Sequence, residues 1–493
     1  MQSRVPRRIP AVRRSGKVLV LFAVLLPAML AFIGLIIDGG LLQGTHRRAQ
    51  HTADATATAA ARALQRGKTD AEATAIGEHT AADLNGVPVG GVSIRRPPDR
   101  GPYAGNPDAV EVELVDHADT HFYGFIGGDS AVAVSARAVA GWRPSTARAA
   151  IVVLDPDPPR LSVPPLPGVL PALPALIGGF EIEGLGTVRV DGAVLVNNEW
   201  GGLDENGDPT GNSLPPPYAL ASLNLLTPQR LRARDLRVVG GVDNPSAYGP
   251  FVVGESSPLR TGKLAVPDPL IGVPVPTTAV DPVNVNGTLR GGVRIIGLPI
   301  GPWQTLDPGV YDWIEVVSGR VRFNPGIYII RSVNPVSQIA LNLLAGEIDA
   351  EGVMFYITDS AGYSAASGAP DSGDGESVPP APGVLDLLPS AVINLVLPGS
   401  RISGLDDPDS PFDGMVVFQR RRDRRPVAIV TSLLGTPGVE GMVYAKWGHV
   451  ILASRGTIDA SFVAGTVRIV TALPTTIAPT RTLPPAEDVY LLE

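Results

Sequence analysis

Residues 306–328 read LDPGVYDWIEVVSGRVRFNPGIY, and one unit is written twice in them: Leu306-Asp-Pro-Gly-Val-Tyr311 returns as Phe323-Asn-Pro-Gly-Ile-Tyr328. A related unit recurs at Glu351–Phe355 (EGVMF), Asp413–Val417 (DGMVV) and Glu440–Tyr444 (EGMVY). In these an acid and a Gly set the turn, and a strand of β-branched or large apolar residues follows. Apolar runs at Val450–Leu452, Ile458, Phe462–Val463 and Val467–Ile469 carry the rhythm to about Ala472. Imperfect returns of one turn-plus-strand unit, about one per 20–30 residues, predict a parallel β-helix or similar β-solenoid over 179–475. Each coil would bury its inward Val, Ile, Leu and Phe against its neighbours. The alternative is a β-sandwich of unrelated hairpins.

The composition points the same way. At 493 residues the chain is too long for one ordinary core, so two or three folded units are expected. It holds 56 Gly and 49 Pro, with 44% hydrophobic but only 18% charged residues. Disorder needs the opposite balance, low hydrophobicity with high net charge. Frequent Gly and Pro among Val, Ile and Leu predict short strands and tight turns. A formal net charge of −8 gives no reason to expect nucleic acid as a partner. There is no Cys, which excludes disulfides, thiolate metal sites and cysteine catalysis.

Ahead of the strands lies a different signal. Residues 18–37, VLVLFAVLLPAMLAFIGLII, carry no charge and are long enough to cross a bilayer as a helix. Val18, Leu21, Phe22, Pro27, Phe32 and Ile37 mark this anchor; the proline is tolerable where neighbours satisfy the freed carbonyl. Arg7, Arg8, Arg13, Arg14 and Lys17 precede it with no acid among them, which predicts a cytoplasmic N-terminus and an exported body. The rival reading, a cleaved signal peptide, would have a shorter apolar run ending in a small-residue cleavage site. Here the helical character continues past Asp38 through an Ala-rich stretch to a C-cap near Gly67, so an uncleaved anchor is favoured.

The segment RRSGKVLVLFAVLLPAMLAFIGLIIDGGLLQGTHRRAQHTADATATAAARAL, Arg13 to Leu64, resembles the N-terminal segment of the TadE/TadG-like family of tight-adherence (Flp) pilus-assembly proteins. The matching features are Arg13-Arg14 before a Gly, the Val20-Leu21-Phe22-Ala23 start, the Leu26-Pro27 step, Asp38 at the outer membrane edge and Ala53-Asp54-Ala55. The resemblance covers roughly the first 65 residues. It implies a structural component of a bacterial pilus or envelope adhesion system, held in the inner membrane with its body periplasmic or extracellular. Membrane lipid would be one partner, with other pilus-assembly proteins or cell-wall glycan as further ones. No cofactor and no enzymatic activity are expected. One departure is Leu21, five residues after Gly16, where peptidase-processed pilins carry a Glu; such processing is not expected here.

The expected organisation is a basic segment (1–17), the membrane helix (18–37), its exported continuation (38–66), a small α+β unit (67–145), a strand and Pro-rich connector (146–178), the solenoid (179–475) and a tail (476–493). Within the α+β unit, Asp70–Leu84 reads as helix and Val92–Ile94, Val110–Val115, Phe122–Ile126 and Ala131–Ala140 read as strands. The prolines of LSVPPLPGVLPALPAL (161–176) predict a stiff apolar connector lying against the body.

Candidates for chemistry are sparse. Asp204, Asn206 and Asp208 alternate as calcium-loop ligands do, but Pro209 and Pro215 stand where such a loop needs Gly and Glu, so an exposed turn is favoured. Asp371, Asp374 and Glu376 read as a solvated acidic loop. His117 and His121 would share a helix face for a metal, but the local sequence reads as loop and strand. Asp155 and Asp157 follow a strand resembling the first strand of a von Willebrand A domain, without that module's two serines. A polysaccharide-binding or glycan-cleaving β-helix protein is the alternative function. Its candidates are Asp406, Asp407, Asp409 and Asp413, which read as a turn, and Arg420–Arg425 (RRRDRR), which read as a solvated loop facing acidic glycan or lipid headgroups.

Overall fold

A computed structural model describes the chain except residues 1–16, 66–67, 85, 88–90, 126–129, 166–168, 170, 211–216, 224–228, 376, 384–386, 432–437, 482, 484 and 493. Arg7, Arg8, Arg13 and Arg14, Gly67 and Glu376 therefore fall outside the described residues. Two compact units emerge, one of Met1–Arg143 with Val489–Glu493, the other of Pro144–Asp488.

The first unit is built on one helix, α1 (Lys17–Gln65), about 70 Å long at 1.5 Å per residue. Its second half buries Ala49, Ala53, Ala57, Ala60 and Ala61, whose small side chains let the helix lie close to a sheet. That sheet is antiparallel, with β1 (Val92–Arg95) on β2 (Ala109–Asp119) and β2 on the first half of β3 (Ala131–Val153). Val110, Val112, Leu114, Ala136 and Ala138 face the helix. A second helix, α2 (Asp70–His79), starts at a capping box: the Glu72 N–H donates to Thr69 Oγ1 and Glu72 Oε2 accepts from the Thr69 N–H. It runs on into a π-helical turn over Thr80–Leu84. One expected strand is absent. Phe122–Phe125 form a short helix, α3, because the Asp38 carboxylate accepts the N–H groups at its start.

Apart from one small antiparallel hairpin, the paired strands described in the second unit are parallel, as a solenoid requires and a sandwich does not. Its pairings fall into three ladders. The first joins Val293, Ile314, Leu341, Ala391, Val427 and Val450 in turn. The second includes Thr305, Arg322, Asp349 and Arg401. The third runs Tyr328, Phe355, Val417, Val443, Phe462, and then Ile151, Val194, Leu236 and Leu259.

That sequence of numbers shows that spatial order differs from chain order. The C-terminal coil (Gly456–Val470, Thr475–Ile477) stacks on the N-terminal coil of the unit (Ile151, Phe180, Val188). The chain therefore winds from Ile151 to one end at Leu259–Arg260, crosses to the other end at Leu289, and winds back to the middle. Residues 261–288 make the crossing along the outer face of the third ladder. Val266 bonds Asn197, Asp268 accepts from Tyr444, Leu270 and Val273 accept from Arg421, Pro276 accepts from Tyr363, and Val285 bridges Ile327. The stacked parallel strands begin at Ala149, ahead of the boundary expected at 179, and run on to Ile477, past the boundary expected at 475.

The repeat has a physical reason. Tyr311 and Tyr328 stack inside the coil with ring centroids 5.8 Å apart, and Tyr328 lies 5.7 Å from Phe355. A buried hydroxyl needs a partner. The Tyr311 hydroxyl donates to the Asp307 carbonyl at 2.7 Å and the Tyr328 hydroxyl to the Asn324 carbonyl at 2.9 Å, each four residues back in its own turn. Gly326 takes φ +130°, where a side chain would also press on Pro308.

Two of the three outer faces are covered. Val163 and Leu173 of the Pro-rich connector, with Ile339, lie over Val392, Ala428 and Ile451 of the first ladder, as expected of an apolar connector. The crossing segment, with Tyr363 and Phe412, covers Tyr356, Phe418 and Tyr444 of the third. The second ladder keeps an outer face of alternating charge.

Phe355 is fully buried against Phe323 and Tyr328. Phe355→Ala is expected to cost the Pro144–Asp488 unit about 3–5 kcal/mol in denaturant unfolding of the full chain.

Candidate functional site

Among the described residues, little besides α3 covers the apolar part of α1. Leu21, Phe22, Phe32 and Ile37 are exposed, and the helix passes Pro27 without ending. Its most apolar stretch has a mean hydropathy of 2.9 and is almost wholly unburied. Burying such a surface in lipid is strongly favourable, whereas leaving it in water is not. Between residues 19 and 40 only Gly34 and Asp38 are buried. They stand four residues apart and hence on one face of the helix.

Both are occupied by α3. Asp38 Oδ1 accepts the His121 N–H at 3.0 Å, and Oδ2 accepts those of Phe122 and Tyr123 at 2.8 and 2.6 Å. These are helix-start donors with no partner inside the helix, and a carboxylate satisfies them and complements the helix dipole. The Phe122 ring sits on Gly34, where any Cβ would collide with it. A Gly and an acid at i and i+4, at the end of a run of large apolar residues, was the signal available in the sequence. It was legible as a family feature for Asp38, but neither Gly34 nor the partner at residues 121–123 stood out.

An apolar helix uncovered along a membrane-crossing length suits a membrane anchor. Residues 16–63 match the family model described as putative Flp pilus-assembly TadE/G-like, and the match lies on this helix. It supports a pilus-assembly-related membrane protein. Neither a curated protein nor a solved structure matches the chain.

Elsewhere the structure places the remaining candidates in turns, strands and ion pairs. Asp204 Oδ1 accepts the N–H groups of Asn206 and Asp208, both at 2.8 Å, closing the exposed hairpin Gly202–Leu203/Pro209–Thr210. No group of three or more His, Asp or Glu that could hold a metal occurs among the described residues. His117 lies on β2, and the His121 N–H is spent on Asp38. Asp406 and Asp413 both pair with Arg481, and Asp413 also accepts the Asp407 N–H. Asp409 donates its own N–H to Asp407. These acids organise a turn.

The arginine run is not a solvated loop. Asp423, Arg424 and Arg425 are buried, because each charge finds a partner. Arg424 pairs with Asp155 at 2.6 Å, Arg425 with Asp423 at 2.8 Å, and Arg420 with Asp359, Asp371 and Asp374. Asp371 is accordingly buried rather than solvated. Burial raises the Asp155 carboxyl above the ordinary range, although Arg424 pulls it down. Arg422 alone of the run is exposed without an ion pair among the described residues. It borders a cavity of about 490 Å³ walled by Ser332, Asp359 and Pro379–Pro382.

On the open face, Asp349 stands between Arg322 (2.8 Å) and Arg401 (3.1 Å). Burial raises its carboxyl, but the two guanidiniums outweigh this and hold it below the ordinary aspartate range. A lowered folded pKa means stability present above the unfolded value and lost as pH falls through the folded one. The melting-temperature gap between the natural chain and Asp349→Asn should therefore be open at pH ~6 and close below the ordinary aspartate value of about 3.9. A gap independent of pH would contradict it. For the anchor junction, Asp38→Ala should raise hydrogen exchange at the amides of His121, Phe122 and Tyr123 while leaving the Pro144–Asp488 unit unchanged.

Proposed function

We propose that this chain is a membrane-anchored structural component of a bacterial tight-adherence pilus or envelope adhesion system, presenting a β-solenoid outside the cytoplasm. The observation that carries the reading is the TadE/G-like match over residues 16–63, on an apolar helix that stands largely exposed among the described residues. Val18, Leu21, Phe22, Pro27, Phe32 and Ile37 belong to the inner-membrane span. Arg7, Arg8, Arg13, Arg14 and Lys17 hold the N-terminus in the cytoplasm. The solenoid supports a scaffold role because its inner residues are apolar and its candidate acids are committed to arginines and turns. A second reading, binding of an acidic cell-wall glycan, draws on the exposed Arg422 beside its cavity.

Because the chain has no Cys, single cysteines report topology cleanly. Val336→Cys, at a position 88% exposed, should react with a membrane-impermeant maleimide on intact spheroplasts, and Ser3→Cys only after lysis. The reverse pattern would overturn the orientation. Native pull-down from mild-detergent membranes should recover pilus secretion-platform or pilin proteins. Recovery of wall glycan alone would favour the second reading.

A further inference from the structure

We propose that Phe122 and Tyr123 make a second contact with the lipid bilayer, an aromatic foot set in its outer interfacial layer and clasped to the anchor by Asp38 and Gly34. The inference rests on the reading of α1 as a membrane anchor. Its first support is depth. Asp38 follows the last residue of the apolar run, Ile37, and Gly34 lies four residues back inside it. At 1.5 Å per residue that is about 6 Å toward the bilayer centre. The Phe122 ring rests on Gly34, so a helix that places Ile37 in lipid brings this ring to the boundary of headgroups and acyl chains.

The second support is exposure. Phe122 is 38% and Tyr123 51% exposed, on a segment that carries no charged side chain from Phe122 to Phe125. The Phe122 ring, seated on Gly34, adjoins the exposed apolar residues of α1 at that level, so the medium that meets Ile33 and Ile37 meets the ring as well. Tyr and other amphipathic rings favour that layer, with the ring in the apolar side and the hydroxyl in the wet one.

The third support is the fixation. Three backbone N–H groups on one carboxylate hold the foot in one orientation on the helix, and the missing Cβ at Gly34 lets it approach. A foot fixed in this way sets how deep the anchor sits and which way it is turned. Hydrophobic length alone does not set these.

The test uses the full-length chain in phosphatidylcholine–phosphatidylglycerol vesicles, with an environment-sensitive fluorophore on single cysteines and lipids spin-labelled near the headgroup end of the acyl chain. Tyr123→Cys should be quenched to an extent comparable with Leu30→Cys in the anchor, while Val336→Cys is not. Adding Gly34→Leu, which evicts Phe122 but keeps the helix apolar, should abolish the quenching at position 123 and leave that at position 30. Quenching at 30 without quenching at 123 overturns the foot and leaves the anchor standing. Absence of quenching at both overturns the anchor reading and the foot with it. A label at 123 shielded from lipid and from aqueous iodide alike overturns the lipid contact in favour of a protein partner. Quenching at 123 that survives Gly34→Leu overturns the clasp.

Discussion

A single coil of the parallel unit has nothing on which to lay its inward side chains except the coils above and below it. Inside, Phe355, Val417, Val443, Phe462 and Ile151 follow one another along one ladder, each supplying the surface that the next needs. The stacking also explains the polar side of the repeat. Tyr311 and Tyr328 place aromatic area in the core only because each hydroxyl returns to the carbonyl of its own turn. Once the inside is packed, the outer faces differ by what lies on them. The proline-rich connector and the crossing segment dry two of them, and the third keeps Arg320, Arg322, Glu347, Asp349 and Arg401 in water.

The first unit solves another problem with a few small residues. Its helix has to be apolar enough for lipid in one half and narrow enough for a sheet in the other. Leu, Ile and Phe serve the first half, and Ala49, Ala53, Ala57 and Ala60 the second. Asp38 stands where the two regimes meet. A bare carboxylate next to an apolar span is costly, and the three N–H groups from residues 121–123 offset that cost.

Features carried by local spacing were legible in the sequence: the apolar run, the alanine-rich helix, the proline connector and the turn-plus-strand repeat. Features made by distant partners were not. Arg424 reads as surface until Asp155, 269 positions away, is placed beside it. Arg421 reads the same way until the crossing segment offers the carbonyls of Leu270 and Val273. The Phe122 region has aromatic residues that suit a strand, and its helical turn depends on an acid more than eighty positions upstream. Periodicity also could not reveal that Phe462 would pair with Ile151, because coils that share one pattern are interchangeable in sequence.

That last pairing affects how the molecule comes into being. A chain made from its N-terminus completes the coils from Ile151 to Arg260 first, with the underside of the first coil bare. It then starts afresh at Leu289, at the far end. The seam between the two halves closes only when Gly456–Val470 and Thr475–Ile477 arrive, so the final strands of the stack act as its keystone. Until then two unpaired parallel edges face each other across a gap, spanned by the crossing segment and by the proline-rich connector that lies over Val392 and Ala428. Contacts that distant in sequence form slowly, and open edges of this kind invite pairing with other chains. The crossing segment is thus a tether that keeps each half nearest its own partner while the last residues emerge.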